Sequence, residues 1–515
     1  MQLNASKSKW GSGYVTDIAY LPGYYRHQSP LHLRLACLLG GVSPPNLSSG
    51  SPLCYLELGC GHGFGALALA ACNPSWRVTG IDFNPAHIAA ARGLAAQAGI
   101  TNARFIEADL ATLTDDHRAR EIPEADFATL HGLWSWVADP VRLGIVRLLA
   151  TKVRPGGVVQ VSYNALPAWQ GALGMQRLMR EAGERLAARS DRQVDVGLEV
   201  VRALAEAKAF HLVGLPLVES LLEHAKHCQL AYLTHEYMTE AWRPCFHTDV
   251  AAAMSEAKLD WVASANLLEN FTSLTLRDEA RTVLARFDDP AMRELIKDMC
   301  LPRGLRQDVF VRGAHHICPT ERDYALGQMM LGLLRSEAQV AWEFEVPSGH
   351  AALERSFFGP IVASLEQGPR RVSDLLALPD LPRHDNPSEL VGMLVGSEQA
   401  LPLLTAPSDP DPRVIRFNGL AAKRFVRQGN LNTGMALATS GTGAPLPCPM
   451  LDLFVAARLE EERAPDSASW AAVLGAGHSQ EEQERLRGFI DRVIAERAPI
   501  WHRLGALTAG CLSAL

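Results

Sequence analysis

No stretch of 18 consecutive apolar residues occurs in this chain, so no segment is long enough to cross a bilayer as a helix. The first residues hold Lys7, Lys9 and Trp10 but no apolar core of signal-peptide type, and the expectation is a soluble, cytoplasmic protein without membrane insertion. The ten cysteines, at 37, 54, 60, 72, 228, 245, 300, 318, 448 and 511, never form a C-x-x-C pair. That excludes a zinc ribbon or a dithiol redox motif and fits reduced core thiols. His224, His227 and Cys228, and likewise His315, His316 and Cys318, lack a second ligand pair at zinc spacing, so no metal is expected. A G-x-S-x-G serine elbow is also missing. Basic residues are not in excess: 49 Lys and Arg stand against 56 Asp and Glu, a net charge of -7. A face that grips phosphates broadly is therefore not expected, nor is a nucleic-acid partner.

What is present is globular: 48% hydrophobic and 20% charged residues in 515, enough for two to four domains. The most informative segment is Glu57-Leu58-Gly59-Cys60-Gly61-His62-Gly63-Phe64-Gly65, between an apolar run from Leu53 to Leu58 and a helix opening at Ala66. Glycines in a strand-to-helix turn let a bulky ligand approach the main chain. A dinucleotide fingerprint requires glycine at the sixth position from Gly59, where Phe64 stands. The pattern that fits is Glu-x-Gly-x-Gly-x-Gly, which resembles the first motif of class I S-adenosylmethionine (SAM) methyltransferases. The resemblance implies that Gly59, Gly61 and Gly63 admit the methionine part of SAM and that Glu57 orients its ammonium.

Strand and helix then alternate, the signature of a parallel sheet covered on both faces. Arg77 to Asp82 is the second strand, followed by Asn84-Pro85 as N-cap and first helical residue. Ala103 to Ala108 is the third strand, Ala125 to His131 the fourth, and Val158 to Tyr163 the fifth. The expected fold class is α/β, a Rossmann-like, seven-stranded class I methyltransferase sheet. Its closing strands are expected at Trp261 to Ala265 and Thr272 to Leu276, after a helical insertion over about 166–235. The remaining chain reads as mostly helical, with a winged-helix-like order of three helices and a strand at Val414 to Phe417. The predicted domains are a lid over 1–52, the SAM-binding domain over 53–280, a helical linker over 281–350 and an interaction domain over 351–515. The last of these is a candidate homodimer contact.

Asp82, at the end of the second strand, can accept both ribose hydroxyls of a nucleoside. Asp109, followed by the backbone N–H of Leu110, stands where the family's third-strand acid meets adenine. His131-Gly132-Leu133-Trp134-Ser135-Trp136-Val137 and Ser162-Tyr163-Asn164-Ala165-Leu166-Pro167-Ala168-Trp169 both lie at carboxyl ends of strands, where open α/β sheets bind ligands. Together with Gly13 to Pro30, Leu230 to Met238 and Leu301 to Gly313, they resemble bacterial methyltransferases that carry a methyltransferase regulatory domain, among them rickettsial protein-lysine methyltransferases. Ala168 replaces the glycine that this family usually has, a departure that touches the acceptor side. The resemblance implies methyl transfer to a nitrogen, a protein lysine. A small-molecule acceptor, or a SAM-binding scaffold without turnover, are the alternatives. Trp134 and Trp136 are the expected walls of an acceptor slot, Tyr163 and Asn164 its polar contacts, and His131 a proton relay. Tyr14, Tyr20, Tyr24 and Tyr25 are expected either to close over the cofactor or to pack on the first helix.

Overall fold

The computed structural model describes residues 13–512, apart from 19, 49, 188, 226–228, 380, 383–385, 428–429, 463–464 and 478. Lys7, Lys9, Trp10, His227 and Cys228 lie outside the described residues. After α1 (Pro30–Leu39), strands β1 (Cys54–Leu58), β2 (Arg77–Asp82), β3 (Ala103–Glu107) and β4 (Ala125–Leu130) alternate with α2 (Phe64–Cys72), α3 (Pro85–Ala98) and α4 (Asp139–Lys152). β5 (Val153–Asn164) follows, then helices α5 (Leu173–Leu186), α6 (Ser190–Glu206), α7 (Pro216–His224) and α8 (Leu230–Tyr237). The sheet resumes through α9 (His247–Ser255) and β6 (Leu259–Ser264), passes three helices, α10 (Thr272–Thr275), α11 (Asp278–Leu284) and α12 (Pro290–Cys300), and closes on β7 (Leu305–Arg312). The seven strands lie in the order β3-β2-β1-β4-β5-β7-β6, with β7 antiparallel to both neighbours, the class I methyltransferase arrangement.

Two expectations are corrected. Thr272 to Leu276 is not a strand. It is the short helix α10, and the closing strand is Leu305–Arg312. Eight residues centred on Val309-Phe310-Val311 pair with β5 over seven positions, burial that the five residues around Ser273 cannot match. The sheet therefore runs past residue 280, and the 281–350 segment contains one of its strands. Val414 to Phe417 is also not a strand but the first turns of the helix Pro412–Phe425, which Asp411 caps through Arg413 N–H with proline at its first position. The strand of the winged-helix-like order is Ala400–Leu403 instead. It pairs with Met330–Leu333, whose other edge takes Arg370–Arg371.

The sheet has a core on each face. One, with α4 and α9, holds Ile145, Leu148, Val250 and Met254. The other, with α1, α2 and α3, continues without a break into the C-terminal region. Phe64, directly after the glycine turn, packs between Phe417 and Phe425 at ring-centroid distances of 5.8 and 5.7 Å. α5 to α8 build a third core around Met175, Met179, Val194 and Leu198, which includes Trp136 of the strand-end loop. No helix among the described residues is long and apolar enough to cross a membrane.

Candidate functional site

A cleft of about 1240 Å³, open to solvent, lies over the carboxyl ends of β1, β2 and β4. Strand order reverses between β1 and β4, the switch point where open α/β sheets bind ligands. The turn after β1 has φ of +72° at Gly59, +52° at Gly61 and +70° at Gly63, the left-handed region that favours glycine. A Cβ on Gly63 would stand 2.6 Å from Phe105 and 2.7 Å from Ala91, so at this position the turn excludes any side chain.

The cleft brings together Glu57, Gly59, Gly61, Asp82, Asp109, Leu110, His131 and Trp136. Asp82 Oδ2 accepts the N–H of Gly61 and Oδ1 that of Asn84, both at 2.9 Å, which fixes the carboxylate against the glycine turn. Gly63 lies beneath the turn, buried rather than on the wall. Asp109 is exposed at the rim and accepts the N–H of Ala111, while Leu110 is buried beside it. Glu57 is buried. Its Oε1 accepts a hydrogen bond from Gln28 at 3.4 Å, and its Oε2 has no hydrogen-bond partner among the described residues. Burial pushes the Glu57 carboxyl up to about 8, against the hydrogen bond from Gln28 and with the help of Asp82. A buried carboxylate oxygen without a partner, in a cleft with a second acceptor at Asp82, fits a nucleoside whose far end carries an ammonium.

The cleft adjoins a second chamber. Tyr14, Tyr20, Tyr25, His131, Gly132 and Trp136 line both. The second is completed by Asn164, Trp169, Tyr232, His235, Glu236, Gly304 and Leu305. Of the N-terminal tyrosines only Tyr24 turns away. It is buried, and its N–H donates to Gly434 at 3.0 Å. The segment that carries the others is pinned by His62 Nε2 at Tyr20 O and by His235 Nε2 at Ile18 O, each at 2.9 Å.

Two predicted acceptor residues are elsewhere. Trp134–Trp136 is a 3₁₀ turn, in which side chains two apart diverge by about 120° around the axis. Trp136 thus faces both cavities, while Trp134 is buried in the core under α4, its carbonyl accepting Arg142 Nε at 2.8 Å. Alternation along β5 likewise sends Asn164 to the chamber and Tyr163 to the opposite face. There the Tyr163 hydroxyl donates to Asp308 at 2.5 Å, next to His247. His131 is in place, its ring 3.7 Å from that of Tyr25, and burial holds it down to about 4, a neutral imidazole at pH 7. His315, His316 and Cys318 serve backbone structure: Val42 pairs with His316 and Ser43 N–H donates to His315 O, while Cys318 caps a helix.

Sequence reasoning missed Glu236 and Trp169 as lining residues. Glu236 is the only acidic residue of α8, between Leu233 and Tyr237, and a lone carboxylate in such a helix was the available signal. Burial pushes its carboxyl up to about 7, while a hydrogen bond from Asn164 works the other way.

Comparison with known proteins agrees with this geometry. A family described as "Methyltransferase domain" matches residues 56–157, and one described as "Predicted methyltransferase regulatory domain" matches 229–312. An uncharacterised protein of Synechocystis is 34% identical over 366 residues, 71% of either chain. An uncharacterised protein of Rickettsia prowazekii is 29% identical over 165 residues, 32% of this chain and 61% of that one. PKMT2 from Rickettsia typhi, solved in complex with AdoHcy, superposes with a TM-score of 0.67 over 95% of this chain and 99% of its own, at 17% identity.

Proposed function

The chain belongs to the class I SAM-dependent methyltransferases that carry a methyltransferase regulatory domain, and from that premise we propose that it methylates a nitrogen nucleophile, the side-chain amine of a protein lysine. The observation that carries this reading is the second chamber, walled by Tyr14, Tyr20, Tyr25, Trp136 and Trp169, with one carboxylate, Glu236, among the described residues that line it. Aromatic faces attract an alkylammonium, and a carboxylate beside them supplies it with a counter-charge.

In this reading Asp82 accepts the two ribose hydroxyls, Glu57 the ammonium, and Asp109 with the N–H of Leu110 the adenine edge. Gly59, Gly61 and Gly63 leave room for the ligand along the backbone. The cofactor supplies, when bound, an electrophilic methyl on a sulfonium. Trp136 and His131 form the passage between the two cavities and exclude water from it. Asn164 orients the polar end of the acceptor chamber.

Incubation with methyl-labelled SAM and a cell extract is expected to place label in protein, on lysine, and label confined to small molecules would overturn the lysine acceptor. A second expectation concerns pH. Glu57 is raised, so below about 8 it is increasingly protonated and offers no charge to an ammonium. SAM affinity, measured by calorimetry, should therefore fall as pH drops from 8.5 to 6.5, by at most about tenfold per unit. Glu57→Gln should bind more weakly at pH 8.5 and lose this dependence.

A further inference from the structure

The lysine reading leaves open which group removes the ammonium proton, since a protonated amine has no lone pair to attack with. His131 is poorly suited. It is held neutral, with a proton affinity well below that of an ordinary imidazole. Tyr163 is out of reach on the other face of β5.

Glu236 has the required position. It lies on α8, half-buried, and lines the chamber beside Trp136, Asn164 and Trp169. Its Oε1 accepts a hydrogen bond from Asn164 Nδ2 at 3.0 Å, and its backbone carbonyl accepts one from Trp136 Nε1 at 3.3 Å. The same residue is thus tied both to the chamber's polar end and to the wall shared with the cofactor cleft. The other titratable groups lining the chamber, among the described residues, are the hydroxyls of Tyr14, Tyr20 and Tyr25 from the N-terminal segment, His131 from the end of β4, and Tyr232 and His235 from its own helix. Among the described residues, none that lines the chamber is a lysine or arginine. A half-buried carboxylate among aromatic rings, with an amide as neighbour and no Lys or Arg among the described lining residues, suits a cationic ligand.

We propose that Glu236 receives the acceptor's ammonium in this chamber and takes its proton before methyl transfer. The proposal rests on the amine-acceptor reading above. The ammonium N–H bond breaks and a carboxyl O–H bond forms, leaving a neutral amine and a protonated Glu236. The amine lone pair then forms the N–C bond as the C–S bond breaks, with that electron pair staying on sulfur. The product leaves as a methylammonium, and the Glu236 proton passes to water. A carboxyl raised to about 7 suits this task near neutral pH, because it is ionised in a large fraction of molecules yet holds a proton far better than an exposed glutamate.

The test compares wild type with Glu236→Gln and Glu236→Asp, loaded with AdoHcy for binding and with SAM for turnover, with n-butylamine as the binding probe. Wild type should bind the amine more tightly as pH rises from 6 to 8. Glu236→Gln should bind it at least about tenfold more weakly with no such dependence, while SAM affinity stays within twofold. Turnover on a lysine acceptor should drop roughly a hundredfold or more in the glutamine variant, with partial recovery in the aspartate variant. If wild type methylates lysine and Glu236→Gln matches its rate and pH profile, the role of Glu236 is overturned and the lysine reading stands. If wild type methylates only acceptors that are not amines and binds no alkylamine, the amine-acceptor reading falls and the role of Glu236 falls with it.

Discussion

Arg306→Met should destabilise the protein by about 3–5 kcal/mol, the largest stability effect expected of a single substitution here, because it strips the cation from a buried charge cluster. Arg306 is fully buried on β7. Its guanidinium donates to Asp298 at 2.7 Å, to Glu294 at 2.8 Å and to Asp308 at 2.8 Å. Lys297 and Arg303 supply the other positive charges, and His247 approaches Asp308 at 3.0 Å. Arg306, Arg303 and Lys297 face Glu294, Asp298, Asp308 and Glu269, the last 3.3 Å from Arg303, so the cationic side chains are already outnumbered and the loss of Arg306 leaves buried carboxylates unmatched. The cationic partners hold Asp308 and Glu294 well below the usual carboxylate range, Glu294 at about 2. Groups depressed in the folded state contribute stability above their unfolded values near 4 and lose it as pH falls toward their folded ones. The gap between wild type and Arg306→Met in thermal midpoint should therefore be wide at pH 7 and narrow below about pH 4. Asp308→Asn added to Arg306→Met should recover part of the loss, since it removes an unmatched charge. Equal midpoints at pH 7 would mean that water or a rearranged Arg303 neutralises the site. The cluster matters to function because Gly304 and Leu305, just before Arg306, are part of the chamber lining.

This cluster was invisible in the sequence, and the reason is general to what was and was not legible. The glycine turn, Asp82 and the Asn84-Pro85 cap are local: a few consecutive residues set the backbone, and neighbouring parallel strands bring the ends together. Asp411-Pro412 carried the same kind of local signal for a helix, and a strand-like reading of Val414 to Phe417 passed over it. β7 was different. Its residues lie more than 140 positions from β5, and only that pairing distinguishes Leu305–Arg312 from an amphipathic segment. Two of the four expected acceptor-slot residues, Trp134 and Tyr163, lie away from the chamber for a geometric reason. Trp134 and Tyr163 were grouped with Trp136 and Asn164 by nearness in sequence, whereas a 3₁₀ turn swings residues two apart by about 120° and a pleated strand sends successive residues to opposite faces. Alternation along β5 was readable; which of its faces meets the cleft was not, because that depends on where α5 to α8 settle. Glu236 sits on that same insertion, so its role follows only from three-dimensional placement.

Asp82→Ala should weaken SAM binding by roughly 30- to 1000-fold, from the loss of two charge-assisted hydrogen bonds worth about 1.5–3 kcal/mol each, partly offset by water in the space left behind. The side chain is preorganised. Gly61 N–H donates to Oδ2, while Asn84 N–H and the His87 ring, the latter at 3.3 Å, meet Oδ1, so the carboxylate is fixed against the glycine turn before any ligand arrives. AdoHcy affinity should fall by the same factor, since the ribose is common to both ligands and the sulfonium is not part of this contact. Asp82→Asn should recover little. An amide turned toward Gly61 or Asn84 sets a donor against a donor, and its single oxygen serves only one of them. A second readout separates lost contact from lost structure. Asp82 raises the proton affinity of Glu57 through space, so its removal should let the Glu57 carboxyl fall from about 8 toward the ordinary range. The pH below which residual SAM binding weakens should then move down in Asp82→Ala, an effect that a merely unfolded glycine turn would not produce. Unchanged affinity in both variants would remove Asp82 from the ribose site and leave it only the task of fixing Gly61.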